Sequence, residues 1–335
     1  MAESQRFEAI AAHVGLSDRS DRVRIEVSGP DRAKFLHNLT TNEVKRLEAG
    51  RGCEAFVTSP QGKTMAYVIL HITEDRVLVR SDPGGMELAL PHFHKYGVFD
   101  DVAIDDRTVE TFELHLAGAA AAELVRRAGS PVPDEVDYAH LSSDLGGCAV
   151  RIIRESPAGL PGLTLIGDRR AAQTIGELLR DRGQALELLE LDPSTFEALR
   201  IEAGTPVFGK EVTEKNLPQE IGRDDRAISF VKGCYLGQET VARIDALGHV
   251  NQVLKGLWLE PHAVCPSPGS TLQADGKRVG VVTSAAVVPW RGRPLALALI
   301  RTSHARAGTV VQVEAVDGAE PAVATVSELP FPQPA

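Results

Sequence analysis

Residues 232–239 read KGCYLGQE, and this octapeptide is the most unusual stretch of the 335-residue chain. Lys232 precedes Gly233, Cys234 and Tyr235, while Gly237, Gln238 and Glu239 close the run. In an extended segment, side chains two apart share one side, so the Lys232 ammonium would favour thiolate at Cys234. Gly233 and Gly237 permit a ligand or another backbone to come close. Glu239 and Arg243 stand four apart in the favourable order for a helical ion pair, worth only about 0.2–0.5 kcal/mol. A plain structural role fits as well: Cys234 as a small buried hydrophobe, Tyr235 in the core, the glycines making a turn. Spacing does not separate the two.

Working outward, Asp192 as N-cap, Pro193 as first helical residue and Gly204 past the end frame a helix over 192–203. Nearer the N-terminus, Val23, Ile25 and Val27 alternate with polar residues as a half-buried strand does, and Gly29-Pro30 ends it. Phe35, Leu36, Leu39 and Leu47 mark two short helical pieces. Residues 53–80 read as an antiparallel meander with turns at 59–62 and 74–75. Further helices are expected at 85–96, 118–127 and 169–182, and strands at 102–104, 112–116 and 148–153.

Beyond Ala246 only strands are expected, at 256–260, 271–273, 279–283, 295–300 and 310–316, with Asp275-Gly276 and Asp317-Gly318 as turns. They imply a C-terminal β-sandwich or small barrel. Strands follow strands as often as helices, which favours an α+β layout over a doubly wound sheet. The expected organisation is an α+β region over 1–240, divided near 105–110, a barrel over 241–328, and a Pro-rich disordered tail over 329–335.

Hydrophobic residues are 43% and charged ones 24%, an ordinary folding mixture. A net charge of −10 with 5% aromatics argues against nucleic acid and anionic membrane surfaces as partners. The first residues, MAESQRFEAI, lack the look of a targeting segment, and no apolar run approaches 18 residues, so a cytoplasmic location is expected. Cys53, Cys148, Cys234 and Cys265 form no CxxC and offer no framework for disulfides or metal, and His92 and His94 point apart at helical spacing. Serine-hydrolase, dinucleotide and P-loop motifs are absent from the sequence.

The octapeptide resembles the signature of the YgfZ branch of the YgfZ/GcvT superfamily, whose other main branch is the glycine-cleavage T-protein, an aminomethyltransferase. The likeness extends upstream through RIEAG at 200–204, Phe208-Gly209, NLPQE at 216–220 and ISF at 228–230. FLHNLTTN at 35–42 and Gln61-Gly62-Lys63 resemble the family more weakly. The resemblance implies an α+β, three-lobed ring around a tetrahydrofolate pocket, closed by a C-terminal antiparallel β-barrel. It implies support of iron–sulfur cluster assembly or repair through Cys234, with Lys232 beside it, and assembly proteins or client enzymes as partners. Arg200, Glu202, Gly233, Tyr235, Gly237, Gln238, Glu239 and Arg243 are the residues then expected to hold the folate pocket and its loops.

Two other functions stay open: folate-dependent aminomethyl transfer and a non-enzymatic adaptor. Against transfer, the aspartate step that T-proteins place in the first meander falls on Met65 and Ala66, and residues 62–73 contain no carboxylate at all. A thioether and a methyl group cannot position a folate amine. Two further T-protein folate contacts, a glutamate and an arginine, fall on Thr164 and Phe196, which weakens the expected folate site.

Overall fold

The computed structural model describes residues 3–314 and 320–332. Its first sheet has the strand order Gly52–Thr58, Thr64–Ile72, Arg76–Ser81, Val23–Ser28, Ala103–Asp106, antiparallel throughout. Alternation sends Ile25, Val27, Val68, Leu70, Val77 and Val79 to one face. There they meet Phe35, Leu36 and Leu39 of the helix Arg32–Leu39 and Ala89 and Phe93 of the helix Ala89–Gly97. Each fully buried side chain of this size contributes roughly 1.5–3 kcal/mol.

The second expected helical piece, toward Leu47, does not form. Thr40 is extended, its hydroxyl bonds the Leu36 carbonyl at 2.7 Å, and the Thr41 hydroxyl bonds the Ala227 carbonyl at 2.6 Å. Hydroxyl side chains here offer the backbone a stop that a helix interior cannot. Likewise the helix expected from residue 85 starts at Ala89, because Gly84 is left-handed (φ +76°) and Gly85 lies under the Ser81 side chain.

A second sheet runs Leu188–Glu190, Val14–Asp18, Thr111–Ala117, Gly162–Asp168, Cys148–Arg154, His140–Leu145, with only its first pair parallel. The helices Ala121–Arg127 and Ala172–Gly183 cover one face. Between the sheets lies a buried ionic cluster. Arg80 of the first reaches Glu113 (2.6 Å) and Glu155 (2.8 Å) of the second, and Arg24 adds Thr111. Burial would weaken Arg80 as a cation, but the two carboxylates outweigh it and strengthen its hold on the proton. Breaking such a pair from one side costs about 3–5 kcal/mol.

The C-terminal strands Gln252–Leu259, Arg293–Arg301, Lys277–Val288, Thr271–Ala274, Val310–Glu314 and Ala322–Ser327 close into an antiparallel barrel. The helix Pro193–Ala203 packs on its strand Lys277–Val288; Asp192 caps it by accepting from the Thr195 amide at 2.9 Å, and Gly204 ends it at φ +68°. The expected Asp317-Gly318 turn lies outside the described residues. The disordered tail expected from residue 329 is corrected over 329–332: Phe331 is 2% exposed, its ring sits on Gly256 and edge-on to Trp258, and its amide donates to the Glu202 carbonyl. One aromatic anchor outweighs the proline-rich composition. Residues 333–335 lie outside the described residues. Among the described residues no helix is long and apolar enough to cross a membrane.

Candidate functional site

A cavity of about 490 Å3 opens where both sheets, the helix Pro193–Ala203 and the C-terminal segment meet. Its wall combines aromatic rings, among them Tyr67, Tyr138, Phe196 and Phe331, with Arg19, Arg22, Arg200, Arg223 and Arg226. Four carboxylates border it, and each is already engaged. Glu155 takes two N–H groups of Arg80 and the Thr164 hydroxyl. Glu202 accepts from Trp290 at 2.6 Å and pairs with Arg291. Asp82 lies 3.5 Å from Arg22 and accepts from the Phe208 amide, and Asp137 lies 2.8 Å from Arg226. Burial alone would raise the Glu155 carboxyl, but Arg80 holds it well below the usual carboxylate range.

Behind the wall, Glu54 on the strand Gly52–Thr58 accepts from Arg223 (2.8 Å), Arg226 (2.7 Å), Tyr138 (2.5 Å) and Tyr67. Burial works against its charge, and the two arginines prevail, keeping its carboxyl below the ordinary value. Opposite, His115 lies 2.8 Å from Thr164 through Nδ1, and burial pushes its imidazole down to about 4, so the ring is neutral near pH 7. Arg19 lies over Phe196, its guanidinium carbon 4.1 Å from the ring centroid, and Arg22 Nε is buried 3.5 Å from Asp82, with no hydrogen bond.

The expected site residues divide between places. Arg200 and Glu202 do border the cavity, but Arg200 ties Glu197, Glu211, the Thr205 carbonyl and Ser284 together, knotting its helix to the barrel. The octapeptide residues are not among those lining the cavity, which corrects the expectation that they form the pocket. Gly237 is left-handed (φ +87°), and a Cβ there would lie 2.5 Å from the Ser59 carbonyl oxygen. The loop is therefore clamped to the 59–62 turn, and Gly237 serves backbone contact, not a ligand. Gln238 caps this loop through the Tyr235 amide; Glu239 and Arg243 are exposed on the helix Gln238–Leu247, and no ion pair between them is found among the described residues. Tyr235 packs with Phe56 and Tyr67 in the core, and a Cβ on Gly233 would meet only His37, at 3.9 Å.

The expected pairing of Lys232 with Cys234 is corrected too. Lys232 turns inward and donates to the carbonyls of His37 (2.6 Å), Thr40 (2.6 Å) and Asn42 (2.8 Å), and burial pulls its ammonium down to about 7. The charged side chains that act on it are Glu43 and Lys45. Cys53 is the buried thiol, pushed up to about 12 by desolvation. Cys234 is exposed and borders a separate apolar depression with Phe35, Leu39, Tyr96 and Leu236.

Met65 and Ala66 pack on the core of the first sheet, and the cavity residues of their strand are Tyr67 and Ile69. The arginines missed in the sequence carry a signal in retrospect: R-x-D-R occurs at 19–22 and again at 223–226, and each copy brings both arginines to the wall.

Residues 2–232 match the GCVT N-terminal domain, and residues 253–332 match the glycine cleavage T-protein C-terminal barrel domain. A chloroplastic protein of Arabidopsis thaliana, described as transferase-like, is 30% identical over 98% of this chain and 74% of its own length. The aminomethyltransferase of Streptomyces avermitilis is 28% identical over 92% of this chain and 84% of its own. The crystal structure of aminomethyltransferase T from Bartonella henselae shares the fold, with a TM-score of 0.86 over 98% of this chain and 89% of that one at 21% identity.

Proposed function

The chain belongs to the glycine-cleavage T-protein family, and from that premise we propose that its central cavity binds a tetrahydrofolate-type ligand while the protein supports iron–sulfur cluster assembly or repair in the manner of the YgfZ branch. The observation that carries this reading is the state of the cavity's carboxylates. Asp82, Asp137, Glu155 and Glu202 are each held in an ion pair. Aminomethyl transfer needs an ionised acid free to position and deprotonate the attacking amine, and each of these four already has a guanidinium partner.

Binding makes other demands, and the wall meets them. A folate presents a flat heteroaromatic ring, a benzoyl group and a carboxylate tail. Aromatic side chains can stack on the first two, and guanidinium groups pair with the last. Tyr67, Tyr138 and Phe196, with the guanidinium groups of the same wall, are the residues that would hold such a ligand. When bound, the folate would supply one-carbon chemistry.

Cys234 stands exposed on a different surface, where the thiol can meet an assembly protein or client enzyme in the cytoplasm, with the cluster as cargo. The likeness to bacterial aminomethyltransferases over nine-tenths of the chain keeps transfer as the competing reading.

The test has two parts. Calorimetric titration with 5-formyltetrahydrofolate is expected to give binding, while a lipoyl-aminomethyl substrate with tetrahydrofolate releases no ammonia. In a deletion strain, Cys234→Ser should fold as the wild type does and fail to restore cluster-dependent enzymes. Robust ammonia release would replace the proposal with aminomethyl transfer, and full rescue by Cys234→Ser would reduce the protein to an adaptor.

A further inference from the structure

We propose that Arg19 is the anion anchor of the central cavity: its guanidinium, laid on the Phe196 ring, takes a carboxylate of the ligand's tail, so that the cavity selects an elongated aromatic acid over its uncharged amide. This deepens the folate reading and rests on it for the identity of the ligand, but not for the geometry.

Four observations carry it. The Arg19 guanidinium carbon lies over the Phe196 ring, 4.1 Å from its centroid, a cation–π contact that restrains the group and uses none of its N–H hydrogen bonds. Among the described residues, no carboxylate stands within ion-pair distance of Arg19 and no protein acceptor takes its side-chain N–H groups. The other arginines of the wall differ: Arg200, Arg223 and Arg226 all sit in tight pairs with glutamate. Beside it, Arg22 is 7% exposed and already turned to carboxylates, its Nε 3.5 Å from Asp82 and its Nη1 3.5 Å from Glu113.

Third, burial and the neighbouring Arg22 charge both weaken Arg19 as a cation, an arrangement that an incoming anion relieves. Fourth, Arg19 borders the central cavity and also an open groove of about 850 Å3, sharing Asp82, Phe196 and Arg200 between the two. It therefore stands on the boundary the two share, beside the open groove into which the tail of a long ligand would extend. Asp82 cannot serve as the partner, being engaged by Arg22 and the Phe208 amide.

The experiment compares two acids with their glutamyl diamides by calorimetry: 5-formyltetrahydrofolate, and N-(4-aminobenzoyl)-glutamate, which has no pterin. Wild-type protein is expected to bind each acid about tenfold or more tightly than its diamide. Arg19→Gln, shown to be folded by circular dichroism, should bring that ratio to about one without weakening the diamides, and Arg19→Lys should keep part of it. A ratio retained in Arg19→Gln, or absent from the wild type, overturns the proposal. If aminobenzoylglutamate shows the Arg19-dependent preference while 5-formyltetrahydrofolate does not bind, the anchor stands and the folate reading falls. If 5-formyltetrahydrofolate binds no better than its diamide, the reverse holds, and if neither acid binds, both fall.

Discussion

Lys232→Met is expected to cost about 2–5 kcal/mol in urea unfolding, because three buried carbonyls lose their donors at once. Cys234→Ser, at an exposed position, should stay within about 0.5 kcal/mol of the wild type. The contrast separates residues that spacing alone had joined. Their prominence was legible in KGCYLGQE, yet the geometry that parts them depends on carbonyls from residues 37–42, nearly two hundred positions away. Phe196 gives the opposite lesson. Read alone, it replaces an arginine that the family resemblance implies, but Arg19 returns a guanidinium to the same ring from a different strand end. Side-chain substitutions are visible in one sequence; their compensation across the fold is not.

At the scale of elements, the octapeptide loop and the 59–62 turn fit as two backbones in contact. A Cβ on Gly62 would lie 2.6 Å from Thr240 Cβ, and one on Gly237 would lie 2.5 Å from the Ser59 carbonyl oxygen. Both glycines are also left-handed. Gly237→Ala is therefore expected to destabilise by more than the about 1 kcal/mol of conformational strain alone. Hydrogen exchange should show faster amide exchange in the helix Gln238–Leu247 and little change in the barrel. Strong local signals such as Asp192-Pro193 and Gly204, or the alternation of Val23, Ile25 and Val27, located their elements well. Short strands such as Val14–Asp18 and Leu188–Glu190 carry no such signal, since they depend on distant pairing: Leu188–Glu190 with Val14–Asp18, and Val14–Asp18 also with Thr111–Ala117.

For the whole molecule, pH acts through buried histidines. His71, His115 and His140 are neutral when folded: burial lowers His71 well below its ordinary value and His115 and His140 to about 4 each. The unfolded chain binds their protons near pH 6.5, so it holds more protons than the native state as pH falls from about 6.5 to about 4. Stability is thus fully present above that window and declines through it. His140→Gln should make this decline shallower by up to about 1.4 kcal/mol per pH unit, measured as urea midpoints against pH. The overall architecture was legible because the octapeptide and RIEAG resemble a family. The cavity was not, because its wall is assembled from residues as distant as Arg19, Tyr67, Phe196, Arg223 and Phe331.

That assembly has a temporal side. Phe7 from the helix Glu3–Ala12 and Pro330, Phe331 and Pro332 from the far end of the described chain line the same cavity. Phe7 stacks on Trp290 at 4.3 Å, while Phe331 seats on Gly256. During translation the two sheets can be complete while the cavity still lacks one wall. A ribosome paused inside the barrel would carry a folded but unsealed pocket, and ligand capture would mark the moment when synthesis has passed residue 332.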